Sequence, residues 1–104
     1  MTVTELLHKL KASLQALYGN RLKSLILYGS EARGEAEPDS DIDLLAVLEG
    51  PVDVGREIRE TVHATYPLQL ETYRSIHIMP VNADDFAAGR CNLYREVQRE
   101  GVPI

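Results

Sequence analysis

The sequence predicts one small α/β domain, of the α+β kind, with a mixed β-sheet flanked by helices in the order αββαβα. Three observations predict it. Apolar residues recur at helical spacing through the first 17 positions. Two short apolar runs, Leu22–Tyr28 and Ile42–Leu48, are each closed by glycine or proline. A second helical pattern then precedes a further strand-like run. The 104 residues suit a single domain, residues 1–104, since domains span roughly 50–250 residues.

Each element has its own signal. Val3, Leu6, Leu7, Leu10, Leu14 and Leu17 line one helical face. Thr2 followed by Glu5 has the form of a capping box, and Gly19-Asn20 ends the pattern. LKSLILY (22–28) is strand-like, and GSEARGEAEPDSD (29–41) is a loop with room for one helical turn near Glu31–Arg33. Ile42–Leu48 is apolar almost throughout, as in a strand covered on both faces. Val54, Ile58 and Val62, spaced by four, predict an amphipathic helix from about Asp53 to Ala64, with Pro67 breaking the chain. A third strand lies within Leu68–Val81, and Pro80 places its end at a sheet edge or outside the ladder. Short helical pieces follow near Ala83–Ala88, where Asp84 and Asp85 suit a helix start, and near Leu93–Glu100. Leu93, Tyr94 and Val97 form an apolar row with little chain left to cover it, which either packs on the sheet or forms an interface.

Composition narrows the function. Hydrophobic residues make up 44% and charged residues 26%, which excludes a disordered tail. The formal charge of −5 argues against a duplex-coating nucleic-acid binder. A single cysteine, Cys91, excludes an internal disulfide. No apolar run approaches a membrane span, and the N-terminus lacks the basic start of a secretory signal. The simplest expectation is a soluble cytoplasmic protein.

One constellation carries chemistry: Gly29-Ser30, then ten residues, then Asp41-Ile42-Asp43. If the two strands are neighbours, the Gly-Ser turn and both carboxylates share one end of the sheet. Asp41 and Asp43 are two apart, so their side chains point to the same face. Like charges so placed disfavour one another unless a cation intervenes, and Mg²⁺ prefers such oxygen ligands. Gly29 permits close backbone approach, while Ser30 offers a hydroxyl and free amides to a phosphate. Together these suggest nucleotidyl or phosphoryl transfer. Asp43, between Ile42 and Leu44, has no capping role to explain it, and a buried acid needs a partner. His8 and His63 lie on helical segments without metal-ligand spacing, so no zinc site is supported.

The block LYGSEARGEAEPDSDIDLLAVL resembles the signature of minimal nucleotidyltransferases of the DNA polymerase β superfamily, and the chain is similar to the antitoxins of that type paired with HEPN-domain toxins. The match includes Ala32-Arg33-Gly34 and Ser40, and the tail MPVNADDF and LYREVQREGV resembles the same family. The resemblance implies a polymerase β palm-type fold. It also implies Mg²⁺ as cofactor, held by Asp41 and Asp43, and ATP as substrate, its triphosphate held by Gly29 and Ser30. Ser40 would add a phosphate contact. Arg33 would neutralise phosphate charge or brace the loop, with an ordinary loop ion pair as the equal alternative. The family's third acid belongs on the following long strand. Here the carboxylate between Leu68 and Val81 is Glu71, and His77 stands at the aligned position. His77 is then either a general base or an ordinary strand histidine at the position of a lost metal ligand.

The activity implied is transfer of AMP from Mg-ATP to a hydroxyl, preferably a tyrosine's, of a cognate HEPN RNase toxin, without direct nucleic-acid or membrane contact. One small domain supplies a nucleotide cradle but little surface for a separate small-molecule acceptor. Two alternatives stay open: a non-catalytic nucleotide-binding antitoxin that neutralises its partner by complex formation, and an adenylyltransferase acting on a small molecule.

Overall fold

A computed structural model describes residues 1–104. Helix α1 (Val3–Tyr18) leads through a short 3-10 turn into β1 (Leu22–Tyr28). Helix α2 (Gly29–Arg33) and a loop precede β2 (Ile42–Leu48), which is followed by α3 (Val54–Gln69) and β3 (Ile76–Asn82). Helices α4 (Ala83–Ala87) and α5 (Asn92–Glu100) and a two-residue strand β4 (Val102–Pro103) complete the chain. The four strands lie in the order β3-β2-β1-β4. β1 runs antiparallel to β2 and β4, and β2 runs parallel to β3, so the sheet is mixed as expected.

The sheet is covered on both faces. On one, Leu6, Leu7, Leu10 and Leu14 of α1 pack onto Leu25, Leu27, Leu44, Ala46 and Leu48. On the other, Ile26, Leu45, Val47 and Val81 meet Val97 of α5, with Phe86, Leu93 and Tyr94 around them. β2, paired on both sides, is buried along nearly its whole length. Thr2 caps α1, its hydroxyl accepting from the Glu5 amide at 3.1 Å and donating to the Glu5 carboxylate at 3.2 Å. At the other end of α1, Tyr18 takes the buried position four residues past Leu14, and Leu17 is exposed.

The structure corrects two expectations and decides a third. α3 does not stop before Pro67 but runs on to Gln69. Pro67 lies in the last turn of the helix, where the bond it cannot donate leaves only an exposed carbonyl to water. The four-spaced row of α3 is not its inward face. Val54, Ile58, Val62 and Tyr66 are exposed, while Glu57, Thr61 and Thr65 are buried. Those polar groups are all satisfied. The Thr61 and Thr65 hydroxyls donate back to the carbonyls of Ile58 and Thr61, at 3.0 and 2.7 Å. The Glu57 carboxylate accepts from Tyr18 (3.2 Å), Arg21 (3.3 Å), Arg56 (3.3 Å) and the Asp53 amide (3.4 Å). Burial raises the Glu57 carboxyl, but these donors outweigh it and hold it below the usual carboxylate range. Third, the C-terminal row is not free. Val97 is buried, and Leu93 and Tyr94 pack on the second core, with Tyr94 tilted against Phe86 at 5.9 Å.

Candidate active site

The strand pairing fixes the site. Tyr28 at the end of β1 lies opposite Asp43 on β2, which lies opposite His77 on β3. Directly paired residues share a face, so the phenol, the carboxylate and the imidazole point the same way, toward the side covered by α5. Asp41, one residue before β2, shares the alternation of Asp43. Its Oδ2 stands 3.4 Å from Nε2 of His77, and both side chains are exposed. Burial first, and the Asp43 carboxylate second, push the Tyr28 phenol above its ordinary value.

Gly29 joins this cluster to the turn. Its φ of +75° is one that side chains rarely tolerate. A Cβ built there would sit 2.6 Å from Oδ2 of Asp43, so the backbone of the turn and the carboxylate already occupy adjoining space. α2 starts at Gly29, and no side chain caps it. Its first amides therefore remain open to an anion. Ser30 opens that turn. Arg33 pairs with Glu35 at 3.2 Å on the surface. It also borders a hollow of about 200 Å³ formed with Tyr28, Gly29, Leu93, Glu96, Val97 and Glu100, so two carboxylates face the same space. Ser40 is held in the loop: its hydroxyl accepts from the Glu37 amide at 2.8 Å.

A residue outside the sequence motif holds the loops in place. Arg74, just before β3, donates through Nε to the Ser40 carbonyl at 2.7 Å, and its Nη1 meets the Glu31 carboxylate at 2.6 Å. One guanidinium thus ties α2, the approach to Asp41 and the start of β3 together. Glu31 and Ser40 are far from Arg74 in sequence, so no local pattern could have shown this; only its position just before the strand that carries His77 was visible.

The donor set for a cation is small but of the right chemistry. No group of three or more His, Cys, Asp or Glu is placed to enclose a metal ion. Two carboxylates on one face beside an uncapped turn do fit Mg²⁺, which is ordinarily held by one or two carboxylates together with substrate phosphates.

Residues 7–100 match the family of nucleotidyltransferase domains. The chain belongs to that family. A nucleotidyltransferase domain is therefore the frame in which Gly29, Ser30, Asp41 and Asp43 stand. A protein from Methanocaldococcus jannaschii, provisionally named a protein adenylyltransferase, is 49% identical over 41 residues. That stretch is 39% of this chain and 39% of the relative's length. A crystal structure from Sulfolobus solfataricus, provisionally described as a nucleotidyltransferase, superposes with a TM-score of 0.61. It is 18% identical, and the superposition covers 95% of this chain and 76% of that one. That likeness establishes the mixed sheet with flanking helices as a nucleotidyltransferase fold.

Proposed function

We propose that this nucleotidyltransferase is an antitoxin that transfers AMP from Mg-ATP to a hydroxyl, preferably a tyrosine's, of a cognate HEPN-domain RNase toxin. The observation that carries the reading is the contact between the Gly29 turn and the Asp43 carboxylate, with Asp41 and His77 beside them at one end of the sheet. The name of the Methanocaldococcus relative supports a protein acceptor. The exposure of Asp41 and His77 supports one too, because the acceptor can arrive from outside.

Asp41 and Asp43 would hold Mg²⁺. The cation, when bound, supplies charge neutralisation of the triphosphate and of the departing pyrophosphate. The amides of the Gly29–Ser30 turn orient the phosphates, and Arg33, at the edge of the adjoining hollow, adds positive charge. The acceptor oxygen attacks the α-phosphorus, and the bond to the bridging oxygen of pyrophosphate breaks. His77, beside Asp41, takes the proton of the attacking hydroxyl.

Neutralisation by complex formation without transfer is the second reading, and one observation favours it: the site has two carboxylates and an imidazole rather than three acids. The test is incubation of the purified chain with its cognate partner and Mg-ATP labelled at the α-phosphate. Transfer predicts label on the partner and stoichiometric pyrophosphate, both lost in the Asp41→Asn, Asp43→Asn double variant. A partner that is neutralised yet never labelled overturns the first reading in favour of the second.

A further inference from the structure

Five of the ten large apolar side chains left exposed lie along α3 and its C-cap. Val54, Ile58, Val62, Tyr66 and Leu70 follow one another at intervals of four, and all are exposed, Leu70 to 69% and Val62 to 58%. Their exposed area is on the order of 500 Å², comparable to the largest apolar patch of a typical monomer and a little over half of the roughly 800 Å² that each side of a standard interface covers. Ile58, Val62 and Tyr66 of this row, with Arg59, His63 and Pro67, line a shallow open hollow of about 590 Å³ on α3. A second hollow, about 270 Å³, continues from Ile58 and Val62 past Ile76 and Ile78 to Met79 and His77. β3 is the terminal strand of the sheet, so no further strand pairs with its outer edge.

Two features select the occupant. Arg59 and His63 border the groove, and neither has a carboxylate within ion-pair distance. The Arg59 guanidinium, without an ion-pair partner on a chain of net charge −5, favours a carboxylate from elsewhere. It also disfavours a second copy: in an antiparallel twofold pair each flank meets its own counterpart, setting the Arg59 flank against itself. The second hollow shares Ile58 and Val62 with the first and reaches His77 around the edge of β3, so an occupant of α3 lies next to the site.

We infer that the α3–β3 face docks an amphipathic helix of the acceptor protein, its apolar stripe flanked by carboxylates, and that this docking brings the acceptor hydroxyl to Asp41 and His77. The inference rests on the protein-acceptor reading above. Spacing of the anchors by four matches the recurrence of apolar residues along one helix face, the geometry by which helices lie in apolar grooves. The apolar floor provides affinity, while the rim chooses the sign of the partner's flanks.

The experiment uses the full isotopically labelled chain and two synthetic amphipathic helices. They share a leucine stripe, one with glutamates on its flanks and one with lysines. Amide shifts on titration should follow α3 and β3 for the glutamate peptide, which should bind about tenfold more tightly than the lysine peptide. Val62→Lys, an exposed substitution expected to leave Tm unchanged, should abolish binding. Arg59→Glu with His63→Glu should reverse the preference between peptides. Equal affinity for both peptides, no binding of the glutamate peptide, or a wild-type dimer that Val62→Lys dissociates would each overturn the inference. Mg-ATP titration of the same samples separates the two readings. Peptide binding without nucleotide binding defeats the enzyme alone, and nucleotide binding without peptide binding defeats the docking face alone.

Discussion

Replacing Gly29 by alanine isolates the contact on which the site depends. Two costs arise, and they fall on different properties. The first is backbone strain: a φ of +75° costs an L-residue roughly 1–2 kcal/mol. In a domain of this size that lowers Tm by about 4–8 °C for each kcal/mol. The second is steric. The new Cβ would lie 2.6 Å from Oδ2 of Asp43, and ordinary contact begins at 3.4 Å. The carboxylate, at the end of a side chain, can swing away at little cost to stability. The swing approaches the 1 Å misplacement that costs about 10²-fold in a preorganised site. Gly34 is the control, because its φ is +73° and nothing lies within 4 Å of the point a Cβ would occupy. Gly29→Ala and Gly34→Ala should therefore lose similar Tm by calorimetry. Only Gly29→Ala should weaken Mg-ATP binding, by about 10–100-fold, the range for disturbing the support of a metal ligand. If Gly29→Ala binds Mg-ATP like wild type, or if Gly34→Ala weakens it equally, the reasoning fails.

Other perturbations have equally definite outcomes. Arg74→Ala should destabilise the fold by about 1–3 kcal/mol in urea, since it frees both the Glu31 carboxylate and the Ser40 carbonyl. Arg74→Lys should recover less than half, because an ammonium lacks the fork that reaches both partners. His77→Ala should slow single-turnover AMP transfer by about 10²–10⁴-fold with Mg-ATP affinity little changed; unaltered transfer would remove His77 from proton transfer. Glu57 has a folded pKa below its unfolded value of 4.5, so its contribution is present above pH 4.5 and is lost as pH falls through the lower folded value. Denaturation from pH 7 to pH 3 should show that loss in wild type and a flatter profile in Glu57→Gln; parallel profiles would exclude Glu57 as its source.

What could be read from the sequence was what is local. Thr2 and Glu5 are three apart, so the cap of α1 was visible. Gly29-Ser30 and Asp41-x-Asp43 end and begin neighbouring strands, so their convergence followed once β1 and β2 were recognised. The pairing of Asp43 with His77 needed only a parallel third strand in the right register. The orientation of α3 was hidden for a physical reason. Its apolar row and its polar row are both regular, and periodicity assigns the apolar one to the core. What turns the helix is distant: Tyr18 and Arg21 supply donors that make Glu57 tolerable inside, while Thr61 and Thr65 satisfy their hydroxyls on their own helix. Arg74 was hidden likewise, because its partners come from loops that meet only when β3 lies beside β2.

The buried Glu57 knot gathers where β1 begins and β2 ends, whereas Asp41, Asp43 and Gly29 gather where β1 ends and β2 begins. Seven residues of extended chain, roughly 20 Å, separate the two poles. Groups so far apart, with no shared partners, contribute independently to folding. Substitutions at the pole of the candidate site can therefore be combined with strengthening changes around Glu57 without either altering the other's effect. For an evolving lineage, or for an engineer changing the acceptor, the domain carries its own reserve: stability raised at one end can absorb the losses that new specificity incurs at the other.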